Sequence, residues 1–143
     1  MRDNVYRATR TSRGISVSSV AVVLPGGVVI TLSGGDLPHV GAVALAEPRP
    51  SQKERGKISS TVSILARLGH KEDDLARSLA AEVCESLNVP VVLSAGIHME
   101  GADDDDIRRA VALAKSVVRG SIPELRRLLE GWFSTKIRSR WPS

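Results

Sequence analysis

Cysteine and aromatic side chains are scarce in this sequence of 143 residues. Cys84 is the single cysteine, so no disulfide can form within the chain, and aromatic residues make up 3% of it. The core must therefore consist of valine, leucine, isoleucine and alanine, and a chain of this length can bury such a core without disulfides or structural metals. So few aromatic rings also argue against a stacking platform for nucleic-acid bases.

Long apolar runs are absent as well. No stretch reaches the length of a membrane span, and the charged residues 1–14 lack the apolar core segment of a secretory signal. We therefore expect a cytoplasmic protein that does not interact with membranes. Asparagine, glutamine and methionine are rare and arginine outnumbers lysine, a composition that suits a thermophilic source. A melting midpoint in the ordinary mesophile range would contradict that expectation.

Catalytic and nucleotide-binding signatures are missing too. The chain has no GxSxG nucleophile turn, no GxGxxG or P-loop, and no HExxH zinc motif. Cys84 falls near the apolar stripe of a predicted helix, so we interpret it as a core residue. The net charge is +4, with basic clusters at the two ends but no recognised docking motif. Classical nucleotide enzymes are therefore unsupported, and we predict that the protein does not bind nucleic acid.

Turn residues and apolar periodicity predict a run of strands followed by helices. Pro25-Gly26-Gly27 separates two β-branched runs and predicts a hairpin, and residues 47–55 have the composition of a polar loop. A short continuous apolar run between the two helices is typical of a buried central strand. The predicted strands cover residues 14–24, 28–34, 40–46, 57–68 and 90–96.

Apolar residues spaced by three and four predict two main helices. The first runs from Lys71 to Asn88, and the second starts near Asp103 and ends at Gly120. Pro123 then begins a short C-terminal helix. Strands followed by helices indicate an α+β fold. We assign residues 1–120 to a single α+β domain and residues 121–143 to a C-terminal helical extension with a basic tail.

Two acidic runs open the predicted helices, residues 71–74 and residues 103–106. Their carboxylates complement helix N-termini, and their consecutive spacing does not match a calcium loop. We interpret them as caps, which would repel a phosphate group placed there. A phosphate-bearing ligand would need another anchor, unless the basic residues near the polar loop only keep that loop solvated. Those basic residues are Arg49, Lys53, Arg55 and Lys57.

Three histidines are the most informative residues. His39, His70 and His98 each have a glycine nearby and lie at the predicted end of a strand or helix, where ligand sites are often built. Three interpretations remain open. The histidines line a pocket for a polar ligand, which we favour, or they hydrogen-bond loop backbones, or they hold zinc or iron in a metal-dependent enzyme.

Three segments together carry a family resemblance: GGDLPHVGAVALA at 34–46, LGHKEDDLA at 68–76 and PVVLSAGIHMEG at 90–101. In this order they resemble the LpdD-like proteins, which are small prenylated-flavin chaperones that accompany non-oxidative aromatic-acid decarboxylases. The resemblance covers residues 14–119. It implies a fold like that of proteasome-assembly chaperones, with helices packed on a largely antiparallel β-sheet layer, and a homodimer.

The resemblance also implies a function. Such a protein would bind prenylated FMN, or FMN, without catalysis of its own, and would assist cofactor maturation or delivery to an apo-decarboxylase of the prenylated-flavin-dependent family. No metal ligand is implied. The implied cofactor-binding residues are Gly35, His39, Gly41, Gly69, His70, Glu72, Asp73, Gly96 and His98.

Two alternatives accompany this prediction. One is a proteasome-assembly type of interaction chaperone without a small ligand, although Trp141-Pro142-Ser143 does not match the hydrophobic–Tyr–any-residue ending of archaeal proteasome-binding chaperones. The other is the three-histidine metal enzyme, which metal analysis of the purified protein would test. Trp132, Phe133 and Trp141, with the nearby arginines, could dock a partner, unless the extension only covers a sheet edge.

Overall fold

The computed structural model describes residues 3–69 and 71–134, which contain six strands and two helices. Helices α1 (Asp73–Leu87) and α2 (Asp104–Phe133) pack on one sheet. The strands are β1 (Val5–Ser12), β2 (Ile15–Leu24), β3 (Gly27–Gly35), β4 (Ala42–Pro50), β5 (Ile58–Ala66) and β6 (Val91–His98). Their order across the sheet is β1-β2-β3-β6-β4-β5, and only the β3–β6 pair is parallel. The predicted α+β fold with a largely antiparallel sheet is confirmed.

Alternation along the strands gives the sheet one buried face and one open face. On β2, Val17, Ala21 and Val23 are buried beneath the helices, whereas Ser16 and Leu24 are exposed on the other side. Because side chains alternate with a period of two, each strand contributes every second residue to the core. Among the described residues no helix or strand covers the opposite side, which we call the open face.

Strand β6 occupies the centre of the sheet, as its continuous apolar run predicts. Val91, Leu93 and Ala95 are fully buried. The strands that flank it, β3 and β4, follow one another directly in sequence. The chain between them, residues 36–41, must therefore pass over the C-terminal end of β6, and we call this segment the crossing loop. It places His39 at the end of the central strand.

Two strand assignments differ from the prediction. Strand β1 was missed, because the arginines of this edge strand resemble a solvated tail; it joins β2 through Arg13 and Gly14, whose positive φ angles of 47° and 79° suit a two-residue hairpin turn. The predicted polar loop from residue 47 is wrong for residues 47–50, which extend β4. Those residues pair with β5 alone. The two prolines, which lack a backbone N–H, therefore interrupt no pairing with β6.

The predicted break at Gly120 and the separate short helix after it are wrong, because α2 is one helix of 30 residues with Pro123 inside it. Its buried stripe continues past both residues through Ser121, Leu125 and Leu129. Packing against β1 and β2 thus outweighs the propensity of proline to end a helix. Near the end, Trp132 Nε1 donates to Val23 O at 3.2 Å.

That contact gives Trp132 a structural role, and Phe133 also packs against the core. The end of α2 therefore covers β1 and β2. Of the two roles predicted for the C-terminal extension, docking a partner or covering a sheet edge, this is the second. Trp141 lies outside the described residues.

Cys84 should be chemically silent in the folded protein. Its side chain is fully buried in α1, and burial raises the pKa of the thiol to about 11. The unfolded chain ionises at lower pH, so this group contributes stability at neutral pH that is lost as the pH rises from about 9 towards 11. At pH 8 we expect labelling by a thiol reagent only in denaturant, and rapid labelling of the native protein would contradict the burial of Cys84.

Candidate ligand-binding site

The crossing loop is held to the end of β6 by backbone hydrogen bonds. Asp36 N and Leu37 N donate to His98 O at 2.7 and 3.3 Å, and Gly41 N donates to Ala95 O at 3.0 Å. Between them, His39 N lies 3.4 Å from Gly96 O. These bonds satisfy peptide groups at the strand end and fix the loop that carries His39.

Two glycines make this close crossing possible. A Cβ atom added at Gly96 would overlap the carbonyl oxygen of His39, so the loop lies directly on the strand backbone. Gly35 has a φ of +74°, and a Cβ there would overlap the carbonyl oxygen of His98. Both glycines therefore support the site by leaving room for backbone.

His39 and Glu72 form the polar centre of the site. His39 Nε2 lies 3.1 Å from Glu72 Oε1, and His39 Nδ1 lies 2.9 Å from Leu37 O. Glu72 Oε1 also accepts from Ile97 N at 3.4 Å. The two side chains are 19% and 14% exposed, so this network ties the crossing loop, β6 and the start of α1 together in a partly dry setting.

Gly41 gives the Glu72 carboxylate its space. A Cβ at Gly41 would lie 2.7 Å from Glu72 Oε2. Glu72 is the N-cap residue of α1, but its side chain makes no capping hydrogen bond to that helix. Its carboxylate is turned instead towards the crossing loop and β6.

His98 is placed more loosely. Its side chain is 50% exposed, and Nε2 lies 3.4 Å from Glu100 Oε1. Asp36 Oδ2 accepts from Glu100 N at 2.9 Å and so ties the turn after β6 to the crossing loop. His98 is thus available at the surface, while His39 is fixed by neighbours.

A cavity of about 590 Å³ opens beside this network, between the N-terminal halves of the two helices and the end of β6. We call it the edge cavity. Its volume is within the range of small-molecule sites, and like them it has mostly apolar walls and a few polar groups. The lining residues are His39, Gly69, Lys71, Glu72, Leu75, Ile97, His98, Met99, Ala102, Ile107, Ala110 and Val111.

The structure brings most of the predicted site residues to one place. His39, Gly69, Glu72 and His98 line the edge cavity. Asp73 lies in the first turn of α1 and does not line it. Gly35, Gly41 and Gly96 stand behind it at close contacts with the crossing loop, the end of β6 and Glu72. His70 lies outside the described residues.

The apolar wall was not recognised as part of a site. Leu75, Ile107, Ala110 and Val111 belong to helical stripes that predict core packing, and Met99 carries no signal of its own. The structure does mark this wall, because Ile107 is 50% exposed although it belongs to the apolar stripe of α2. A large apolar side chain left open beside polar groups is typical of a ligand cavity.

The acidic helix starts and the basic residues near the loop after β4 lie at opposite ends of the sheet. At α2, Asp106 N donates to Asp103 Oδ1 at 2.8 Å and Asp103 N donates to Asp106 Oδ2 at 3.2 Å, which confirms the predicted helix cap. The loop after β4, residues 51–57, lies one full strand length from the edge cavity, roughly 25–30 Å. The basic residues suggested there as a phosphate anchor are thus far from the cavity.

The described residues hold no group of three or more histidine, cysteine, aspartate or glutamate side chains arranged to bind a metal ion. Neither helix, within residues 3–69 and 71–134, has the length and apolar character needed to cross a membrane.

Comparison with known proteins places these features in context. A family model described as "Prenylated flavin chaperone LpdD-like domain" matches residues 11–126. Among solved structures, the chain is similar to one titled "Crystal Structure of a Novel Chaperone Complex for Yeast 20S Proteasome Assembly". The TM-score is 0.49 at 16% identity, over 88% of this chain and 98% of that chain. The search of curated proteins found no match.

Proposed function

Since the chain belongs to the prenylated flavin chaperone LpdD-like family, we propose that it binds prenylated FMN in the edge cavity and passes it to an apo-decarboxylase that depends on this cofactor. The chain is a chaperone and not an enzyme, because the role of the family is non-catalytic. The observation that carries the proposal is the edge cavity, in which His39, Glu72 and His98 stand beside an apolar wall.

The chemistry of the lining residues fits this cofactor. Leu75, Ile97 and Ile107 offer apolar surface to the ring system and to its prenyl-derived part. A carboxylate accepts hydrogen bonds, so Glu72 can accept one from a ring N–H group, and an imidazole can meet a ring carbonyl or nitrogen. When bound, the prenylated flavin supplies chemistry that is used only in the acceptor enzyme.

The site is suited to temporary holding of the cofactor. His39 and Glu72 are already ordered by the crossing loop and β6, so little rearrangement is needed on binding. His98 stands half exposed at the surface. A chaperone must release its ligand at a useful rate, and affinity is adjusted mainly through the dissociation rate. We therefore expect moderate affinity.

We also propose that the chain forms a homodimer through the open face. Val5, Val22, Val29, Val92 and Leu45 are in register and form an apolar row across five strands on that side. Val29 and Leu45 are 39% and 41% exposed. A second copy would cover this row, because extended apolar patches of this kind mark interaction surfaces.

Val29→Asp should shift the mass measured by light scattering from dimer to monomer, and a monomeric unmodified chain would refute the dimer.

The proposed function requires this chain and its acceptor enzyme to be in the same cell compartment. A cofactor carrier must meet its decarboxylase, so we assign both to the cytoplasm, where a lone thiol such as Cys84 stays reduced. Fractionation of the source cells would test this assignment.

The test of the proposed function is a titration of the purified protein with FMN and with prenylated FMN. Fluorescence reports binding, and a thermal shift reports the stabilisation that any ligand of the native state produces. We expect selective stabilisation by the prenylated form. Binding of neither flavin would refute the proposal and favour an interaction chaperone without a small ligand, which a pull-down would then pursue.

A further inference from the structure

The edge cavity has an uneven distribution of charge. Glu72 is 14% exposed and lies among the lining residues, next to an apolar wall. The Glu72 carboxylate and a phosphate group carry like charges, and like charges repel strongly where water is largely excluded. A phosphate group placed against this wall would therefore be unfavourable. A ligand that carries a phosphate would therefore enter with its uncharged part first.

The helix N-termini around the cavity do not offer an alternative phosphate site. The start of α2 is occupied by its own capping box, and Asp104, Asp105 and Asp106 add negative charge in its first turn. Asp73 and Asp74 do the same for α1. Free N-terminal amides attract anions, but carboxylates in the same turn oppose that attraction.

Lys71 is the remaining candidate. Among the described lining residues it alone carries a permanent positive charge, and it forms no ion pair with another described residue. Two arginines of elements that border the site, one early in α2 and one just after β5, already have partners. Arg109 Nη1 lies 3.5 Å from Asp106 Oδ1, and Arg67 Nη1 donates to Val40 O at 2.9 Å.

We propose that the edge cavity takes its flavin ring first and leaves the phosphate at the mouth, against the ammonium group of Lys71. This inference rests on the proposed function and adds an orientation and a binding residue to it. Lys71 is an exposed residue just before α1, so its flexible side chain can follow a phosphate outside the apolar wall. A lysine binds phosphate as a point charge with three donors.

The experiment measures four dissociation constants, for the unmodified chain and Lys71→Ala, each with prenylated FMN and with its phosphatase-treated product, prenylated riboflavin. Loss of a charge-assisted hydrogen bond predicts that Lys71→Ala weakens prenylated FMN binding about tenfold. Prenylated riboflavin binding should change less than about twofold, because the ligand has no partner for Lys71. Lys71→Arg should retain most of the affinity for prenylated FMN.

A matched control is Lys53→Ala, which removes the same charge from the loop at the far end of the sheet. It should leave both constants unchanged. Equal losses for the two ligands in Lys71→Ala, or no loss for either, would overturn the proposed orientation while the proposed function stands. If the unmodified chain binds neither ligand, the proposed function fails, and the orientation fails with it.

Discussion

Gly96→Ala is expected to lower the free energy of unfolding by roughly 3 kcal/mol and to abolish flavin binding. The added methyl group would overlap the carbonyl oxygen of His39, which is a backbone atom of a hydrogen-bonded loop and not the end of a flexible side chain. The crossing loop would have to lift from β6, which breaks its hydrogen bonds and moves His39 away from Glu72. Urea unfolding and flavin titration of the same preparation would measure both effects.

Gly120→Ala is the matched control for this substitution. Gly120 lies inside α2, and the nearest atom to an added Cβ is Arg10 Nη2 at 3.0 Å, the end of a flexible side chain. Alanine is the better helix former, so we expect a gain of about 0.5–1 kcal/mol and unchanged flavin affinity. A Gly96→Ala protein as stable as the unmodified chain would show that the loop does not lie on β6 as described.

His39→Ala is expected to lower the affinity for prenylated FMN about tenfold or more, and His98→Ala to do the same. Loss of one hydrogen bond to a polar group costs about 1 kcal/mol or more, and tenfold corresponds to about 1.4 kcal/mol. For His39 the loss has a second source, because its ring also holds Glu72 and the carbonyl of Leu37. The dissociation constant from fluorescence titration is the measurement.

A double-mutant cycle separates these two contributions of His39. If His39 acts mainly by positioning the carboxylate, His39→Ala should cost much less affinity when Glu72→Gln is already present. Ser116→Ala, an exposed position on α2, serves as the control and should bind normally. Unchanged binding in both histidine variants would refute the assignment of the edge cavity as the flavin site while leaving the fold intact.

Much of the fold could be predicted because local patterns and tertiary packing agree. The run at residues 90–96 has the length and composition of a buried strand, and the structure places β6 at the centre. The turn at Pro25-Gly26-Gly27 predicts the β2–β3 hairpin. The errors arise where tertiary contacts override local preference, as in α2, where buried side chains on both sides of Pro123 keep one helix continuous.

The site was predictable only in part. The histidines and glycines are visible as types beside strand ends, but the pairing of His39 with Glu72 depends on the passage of the crossing loop over β6, which no local pattern reveals. The apolar wall was missed for another reason. A stripe that includes Ile107 and Val111 has the same spacing whether it meets a neighbouring side chain or an empty space.

The insertion of β6 between β3 and β4 has a consequence for how the protein folds. Until β6 arrives, β3 and β4 each present an unpaired edge, and such edges pair readily with other chains. β6 comes late in the sequence, after α1, so its docking closes the longest loops of the sheet and is a slow step by topology. The edge cavity exists only after that step, because β6 supplies one of its walls. A ligand held there therefore binds only chains whose sheet is complete, and opposes the reopening that would expose those edges.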